Sequence, residues 1–208
     1  MKKALLFLVL ILFKTTIFSQ EFKREKYNFN SDWKLKTGDT QNAESLGFND
    51  NSWKKITLPH AYNQEEAFEK DIEHLTTGIV WYRKKFKLPK GIKDKKIFLE
   101  FEGIRQAGTI YINGQKVGLH ENGVMAFGFD ISNLLKPFPQ ENIVALRIDN
   151  DWKYKELATG APYQWNNINF NANYGGIPKN VFLHITDKLY QTLPLYSNLK
   201  TTGVYIYP

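Results

Sequence analysis

Thr109-Ile-Tyr-Ile-Asn-Gly-Gln-Lys-Val-Gly118 carries the sharpest structural signal in the chain. Asn113-Gly114 sits between two strand-like runs, and both residues tolerate positive φ. That pairing suits a two-residue type I′ hairpin turn. Antiparallel pairing is therefore expected at the centre of the sequence. Segments on either side extend the pattern. In Val80-Trp-Tyr-Arg-Lys-Lys-Phe-Lys-Leu88, Val80, Tyr82, Phe86 and Leu88 fall on one face, with Lys85 and Lys87 on the other. Ile97, Leu99 and Phe101 fall in register on one face, and Val144, Leu146 and Ile148 point inward with Arg147 outward. A period of two marks half-buried antiparallel strands.

Turn signals separate these strands. Pro89-Lys-Gly91 reads as a turn, and Pro137-Phe-Pro139 breaks the chain before the Ile143 strand. Short helical turns are predicted around Gln64 to Glu69 and at Ser132 to Leu135, with Ser132 as the cap. A parallel α/β fold needs helical crossovers, and the sequence has no long helical periodicity. The expected class is all-β, a sandwich or jelly roll.

Composition narrows the function classes. The chain has 208 residues, 42% hydrophobic and 15% aromatic, enough for a substantial core. It contains no cysteine, so disulfides and thiol chemistry are excluded. Lys2 and Lys3 precede the apolar run Ala4 to Phe13, and Ser19 follows as a small residue before a cut. That is the layout of a secretory signal peptide over residues 1–19, and the run is half the length a bilayer span needs. The expected location is periplasmic or extracellular. Taking Lys2, Lys3 and Lys14 away with the signal leaves 25 basic against 21 acidic residues, a net +4. The remaining lysines are scattered and read as solvated strand edges and turns, not as a nucleic-acid stripe.

Seven segments in order resemble the N-terminal sugar-binding domain of family 2 glycoside hydrolases, the β-galactosidase, β-glucuronidase and β-mannosidase group. They are Trp53 to His60, Gly78 to Phe86, Phe98 to Gly103, Tyr111 to His120, Phe127 to Ile131, Asn142 to Asn150 and Asn173 to Val181. The resemblance spans roughly residues 27 to 187. It implies a galactose-binding-domain-like jelly roll over residues 20–189. An immunoglobulin-like domain and a (β/α)₈ barrel then follow in the family. Residues 190–208 read as a linker and the first strand of that next, truncated domain. The barrel supplies two glutamates, which retaining glycosidases hold about 5–5.5 Å apart. No catalytic residue is expected within this chain.

The resemblance directs attention to Trp165-Asn-Asn-Ile-Asn-Phe-Asn-Ala-Asn-Tyr-Gly-Gly-Ile177. In the family, a loop before the Gly-Gly-Ile step reaches the active site and often carries a sugar-binding aspartate. Asn169 occupies the matching position here, with Asn171 beside it. An amide both donates to and accepts from a hydroxyl, which suits a neutral sugar. The same residues also suit a plain turn. Trp165, Tyr163 and Tyr174 offer rings to sugar faces, or equally to core or interdomain packing. His74 precedes the Thr77-Gly78 turn, where family members position a substrate-contacting loop. His60 reads as structural, and His120 and His184 show no partner signal beside their strands. Asp149 and Asp151 share a face on an extended strand but fit a strand end better than a catalytic pair.

No metal-ligand spacing, phosphate loop or nucleophile elbow is present, and no cofactor is expected. The expected partners are a β-galactoside-like carbohydrate, the following immunoglobulin-like and barrel domains, and a second copy in a homo-oligomer. No nucleic acid and no stable membrane anchor are expected. The expected function is the N-terminal sugar-binding domain of an exported β-galactosidase-like glycosidase, its catalytic barrel missing from this chain. The alternative is a free-standing carbohydrate-binding module.

Overall fold

A computed structural model describes residues 24–123, 125–162 and 173–192. Twelve strands in these residues pair antiparallel throughout. They are β1 (Glu25–Asn28), β2 (Trp33–Thr37), β3 (Lys54–Ile56), β4 (His60–Ala61), β5 (Ile79–Phe86) and β6 (Lys96–Phe101). They continue as β7 (Ala107–Ile112), β8 (Gln115–His120), β9 (Phe127–Asp130), β10 (Asn142–Asp149), β11 (Gly176–Ile177) and β12 (Val181–Thr186). A six-stranded sheet runs β3-β2-β5-β10-β7-β8 and a four-stranded sheet runs β1-β12-β6-β9. A two-stranded ribbon joins β11 to β4.

The inward faces follow the alternation read from the sequence. Val80, Tyr82, Val144, Leu146, Ile148, Ile110 and Ile112 from the larger sheet meet Ile97, Leu99, Phe101, Val181, Leu183 and Ile185 from the smaller one. Two sheets with complementary apolar faces bury them against each other as a sandwich. The β7–β8 hairpin closes through Asn113 at φ 51° and Gly114 at φ 84°. Positive φ at both central residues is the type I′ geometry that matches strand twist.

The six-stranded sheet is covered on its outer face as well. Residues 38–53 fold over it, burying Trp53 and Ala43 against Trp81 and Ala145. Arg83, fully buried on this side, donates through Nε to Asp50 Oδ2 at 3.0 Å and lies 5.3 Å from the Phe48 ring. Asp39 accepts from Arg147 (2.7 Å) and from Trp81 Nε1 (3.0 Å). β5 is therefore buried on both faces over Trp81 to Arg83, beyond the half-burial that alternation predicted. Its outward positions Trp81 and Arg83 are hidden too, because an irregular segment with no strand pattern packs on them, while Lys85 and Lys87 stay exposed as alternation predicted.

The expectation of solvated lysines is corrected at Lys84. It is 7% exposed, lies 4.5 Å from the Phe29 ring and donates to the Ser31 carbonyl. Its stem lies along apolar surface while its head finds an acceptor. Helical turns form at Glu65–Phe68 and Ser132–Leu134, both 3₁₀, with a further one at Ile72–His74. Ser132 does not cap its turn. Its hydroxyl accepts from the Ile97 N–H of β6 at 2.8 Å, and Asp130 Oδ1 takes the Ser132 N–H at 3.0 Å.

Residues 1–19 and 193–208, which carry the expected signal and most of the truncated domain, lie outside the described residues. Among the described residues no helix is long and apolar enough to cross a membrane.

Candidate functional site

Sequence reading pointed to the stretch before Gly175-Gly176, and the structure shows how its described end at Asn173 is held. Three asparagines far apart in sequence, Asn63, Asn150 and Asn173, are each fully buried and bonded together. Asn63 Nδ2 and Asn150 Nδ2 both donate to the Asn173 carbonyl, at 2.9 and 3.1 Å. Asn173 Nδ2 donates back to the Asn150 carbonyl at 2.6 Å, and Asn63 Oδ1 accepts the Gly175 N–H at 3.0 Å. Arg105 Nε donates to Asn173 Oδ1 at 3.1 Å, and Arg105 and Gly176 exchange two backbone bonds of 2.9 Å. A buried amide needs partners for both its ends, and this network supplies them.

The network extends to the turn before β5. Tyr62 donates its hydroxyl to Asn150 Oδ1 at 2.7 Å, and burial pushes that phenol up to about 12, so it stays a neutral donor. Asn150 Oδ1 also accepts the Gly78 N–H at 3.1 Å. Asn63 Nδ2 donates to the Thr76 carbonyl at 2.8 Å, and Glu66 accepts both the Thr76 N–H and its hydroxyl at 2.7 Å. Thr76 holds that carboxyl below the usual range, against a smaller upward push from burial. Segments near residues 61–66, 76–78, 105, 150 and 173–176 thus meet at one point.

Both glycines are dictated by this crowding. A Cβ on Gly175 lies 2.4 Å from Asn150 Nδ2, and one on Gly176 lies 2.3 Å from the Tyr82 hydroxyl. Gly176 also holds φ at +124°.

Trp165, Asn169, Asn171 and Tyr163 fall outside the described residues. Tyr174 lies just past the network and is 37% exposed. It lines a hollow of about 440 Å³ with Ala61, Gln64, Glu65, Phe68 and Pro178. His74 lines a neighbouring hollow of about 450 Å³, with Phe68 common to both. His74 is exposed, and its Nδ1 lies 3.9 Å from Asp71 Oδ2. The described residues therefore bring Tyr174 beside Phe68 and leave His74 on the adjoining surface. Phe68, 93% exposed, was not singled out from sequence. Neither was the asparagine network, whose members are separated by as many as 110 positions.

The other histidines and acids are structural. His60 Nδ1 lies 3.1 Å from the Tyr82 hydroxyl, and burial depresses its pKa. His120 stacks on Phe127 at 3.9 Å between ring centres, and burial lowers it too. His184 pairs through Nε2 with Glu100, both nearly fully buried. His120 and His184 thus lie within β8 and β12, and both have partners, contrary to expectation. Asp149 Oδ1 accepts the Asp151 N–H at 3.0 Å, and Asp151 Oδ1 accepts the Lys153 N–H at 2.7 Å. Those bonds bend the chain leaving β10. No group of three or more His, Asp or Glu among the described residues is placed to hold a metal.

Comparison with known proteins decides the family. Residues 53–185 match the glycosyl hydrolase 2 galactose-binding domain-like family. The chain belongs to that family. A β-glucuronidase of Formosa agariphila is 42% identical over 193 residues, covering 89% of this chain and 19% of that protein. A β-galactosidase of Thermoanaerobacter pseudethanolicus is 32% identical over 169 residues, covering 78% of this chain and 21% of that protein. Among solved structures, a β-glucuronidase from glycoside hydrolase family 2 superposes with a TM-score of 0.81 at 41% identity, over 89% of this chain and 20% of that one. The chain thus spans about a fifth of the length of these relatives and corresponds to the N-terminal domain of family 2 glycoside hydrolases. Its galactose-binding-like fold is the sandwich described above.

Proposed function

We propose that this galactose-binding-like domain forms one wall of the active site of an exported, exo-acting β-glycosidase whose catalytic carboxylates lie on a separate barrel domain. The observation that carries this reading is the buried Asn63–Asn150–Asn173 network. It ties Asn173, directly after residues 163–172, to segments near residues 63, 76–78, 105 and 150, so that the chain has a fixed anchor at that point. Precise positioning of a substrate-contacting side chain requires such support. Asn169 and Asn171 would then meet sugar hydroxyls, and Trp165 and Tyr174 would offer ring faces. His74 is assigned a peripheral substrate contact.

Relatives named for β-glucuronidase and for β-galactosidase activity stand on an equal footing as guides to the sugar. Asn169 in place of a carboxylate leaves room for either. The expected residence is periplasmic or extracellular after cleavage following Ser19, and N-terminal sequencing of the mature protein should begin at Gln20.

The chain by itself is expected to show no hydrolysis of aryl β-galactosides or aryl β-glucuronides, because the proposal places the carboxylate pair on the barrel domain. Turnover by purified chain at the rate of a complete enzyme would sink the proposal. Reading the coding frame past Pro208 is a second test. Barrel-like βα alternation there supports a domain of a larger enzyme, whereas a stop in an intact locus favours a free-standing module.

A further inference from the structure

The hollow beside Tyr174 is lined by a combination of groups that the packing of the sandwich does not use. Phe68 projects from the Glu65–Phe68 turn with 93% of its surface exposed, and Tyr174 is 37% exposed on the segment that follows the asparagine network. Gln64 and Glu65 line the same hollow. Both are exposed, and their side chains make no hydrogen bond with the described residues. The Tyr174 hydroxyl likewise makes no hydrogen bond with the described residues. Ala61 and Pro178 add apolar surface to the lining. The neighbouring acid shows the contrast, since Glu66 is fully committed to Thr76 and Lys70.

We infer that this hollow is a carbohydrate subsite for a neutral pyranose unit, separate from the contacts assigned above to residues 165–171. Three properties lead to that ligand. Two aromatic side chains offer faces on which the C–H groups of a pyranose pack. An exposed amide, an exposed carboxylate and a phenol offer both donors and acceptors at the rim, which matches the alternating hydroxyls of a sugar. The volume of about 440 Å³ lies within the range of small-ligand sites. Glu65 sets the charge preference. A carboxylate accepts from hydroxyl groups and repels a second carboxylate, so a uronate is disfavoured here. The hollow therefore takes a neutral unit of a glycan, even where the terminal sugar handled elsewhere is acidic. The inference draws on the proposed function only for the class of ligand. Its test uses this chain alone, so its failure leaves the glycosidase reading standing.

The test is an NMR titration of the full 208-residue chain with aromatic side chains isotopically labelled. Lactose and methyl β-glucuronide are the probes. Lactose should shift the ring signals of Phe68 and Tyr174 with a dissociation constant in the millimolar range, about 1–20 mM. Methyl β-glucuronide should bind at least about fivefold more weakly, and Glu65→Gln should narrow that gap to within about twofold. Phe68→Ala and Tyr174→Ala should each weaken lactose at least about fivefold. Both residues lie at the surface, and unchanged dispersion of the core methyl signals verifies the fold of each variant. No response of either ring by about 50 mM lactose overturns the inference. So does a response that survives both alanine variants. Concentration-dependent shifts of the same rings without sugar would assign the hollow to self-association and overturn it equally.

Discussion

Gly176 and Gly38 both hold positive φ, at +124° and +86°, but their surroundings differ. Nothing lies within 4 Å of a Cβ added at Gly38, whereas one at Gly176 meets the Tyr82 hydroxyl at 2.3 Å and the His60 carbonyl at 2.9 Å. Conformational strain alone costs about 1 kcal/mol, and overpacking a filled site adds about 1–3 kcal/mol. Gly176→Ala is therefore expected to destabilise the domain by at least about 2 kcal/mol more than Gly38→Ala, read as the difference in urea-unfolding free energy. Equal losses would show that the contact with Tyr82 relaxes without cost. The asparagines around Gly176 depend on one another in the same way. Each is unremarkable as a turn former, yet removing one leaves buried partners without a bond, at about 1–3 kcal/mol for each group.

The segment 38–53 illustrates what an element without regular structure does for the sheet beneath it. It covers Trp81 and Ala145 with Trp53 and Ala43 and brings Asp50 to Arg83. Asp50 also accepts Lys34 Nζ at 2.6 Å. Burial alone would raise the Asp50 pKa, but Lys34 and Arg83 outweigh it and hold the carboxyl below its ordinary range. A charge pair this buried is costly to break from one side. Asp50→Ala is expected to lose about 3–5 kcal/mol, because Arg83 is left buried without its carboxylate. The double variant Asp50→Leu with Arg83→Met should recover most of that loss. Chemical denaturation of both variants separates the outcomes. A double variant as unstable as Asp50→Ala would mean that the segment is held by more than this pair.

Across the whole molecule, half-buried imidazoles and paired carboxylates make stability fall on acidification in two stages. Burial depresses His60 and His120, so the folded protein prefers them neutral. The unfolded chain takes up those protons first, and stability is lost as pH falls through the unfolded value of about 6.5 toward the depressed folded values. Asp39 is held low by Arg147, Asp50 by Lys34 and Arg83, and Asp130 by Lys96 and Ser132, in each case against the effect of burial. Their contribution is present above the unfolded value of about 3.9 and disappears as pH falls through the folded values. Urea midpoints should therefore decline from about pH 7 to 5 and again below about pH 4. The paired variant His60→Gln with His120→Gln should flatten the first decline alone. A wild-type midpoint unchanged between about pH 7.5 and 5.5 would contradict the assignment.

The sequence by itself determined the all-β class, the Asn113-Gly114 hairpin and the inward faces of β5, β6 and β10. Those features rest on neighbours in the chain: side-chain alternation and the φ tolerance of two adjacent residues. Ordered resemblance across seven segments reached the family. Tertiary structure alone decided that Lys84 is buried, that Arg83 sits under residues 38–53, and that Asn63, Asn150 and Asn173 close on one another. It also decided that Phe68 stands exposed beside Tyr174. Each of these depends on contacts between positions distant along the chain, and the residue types involved suit a surface turn as well as a buried site. Alternation reports which way a side chain points, but not what arrives from elsewhere to cover it.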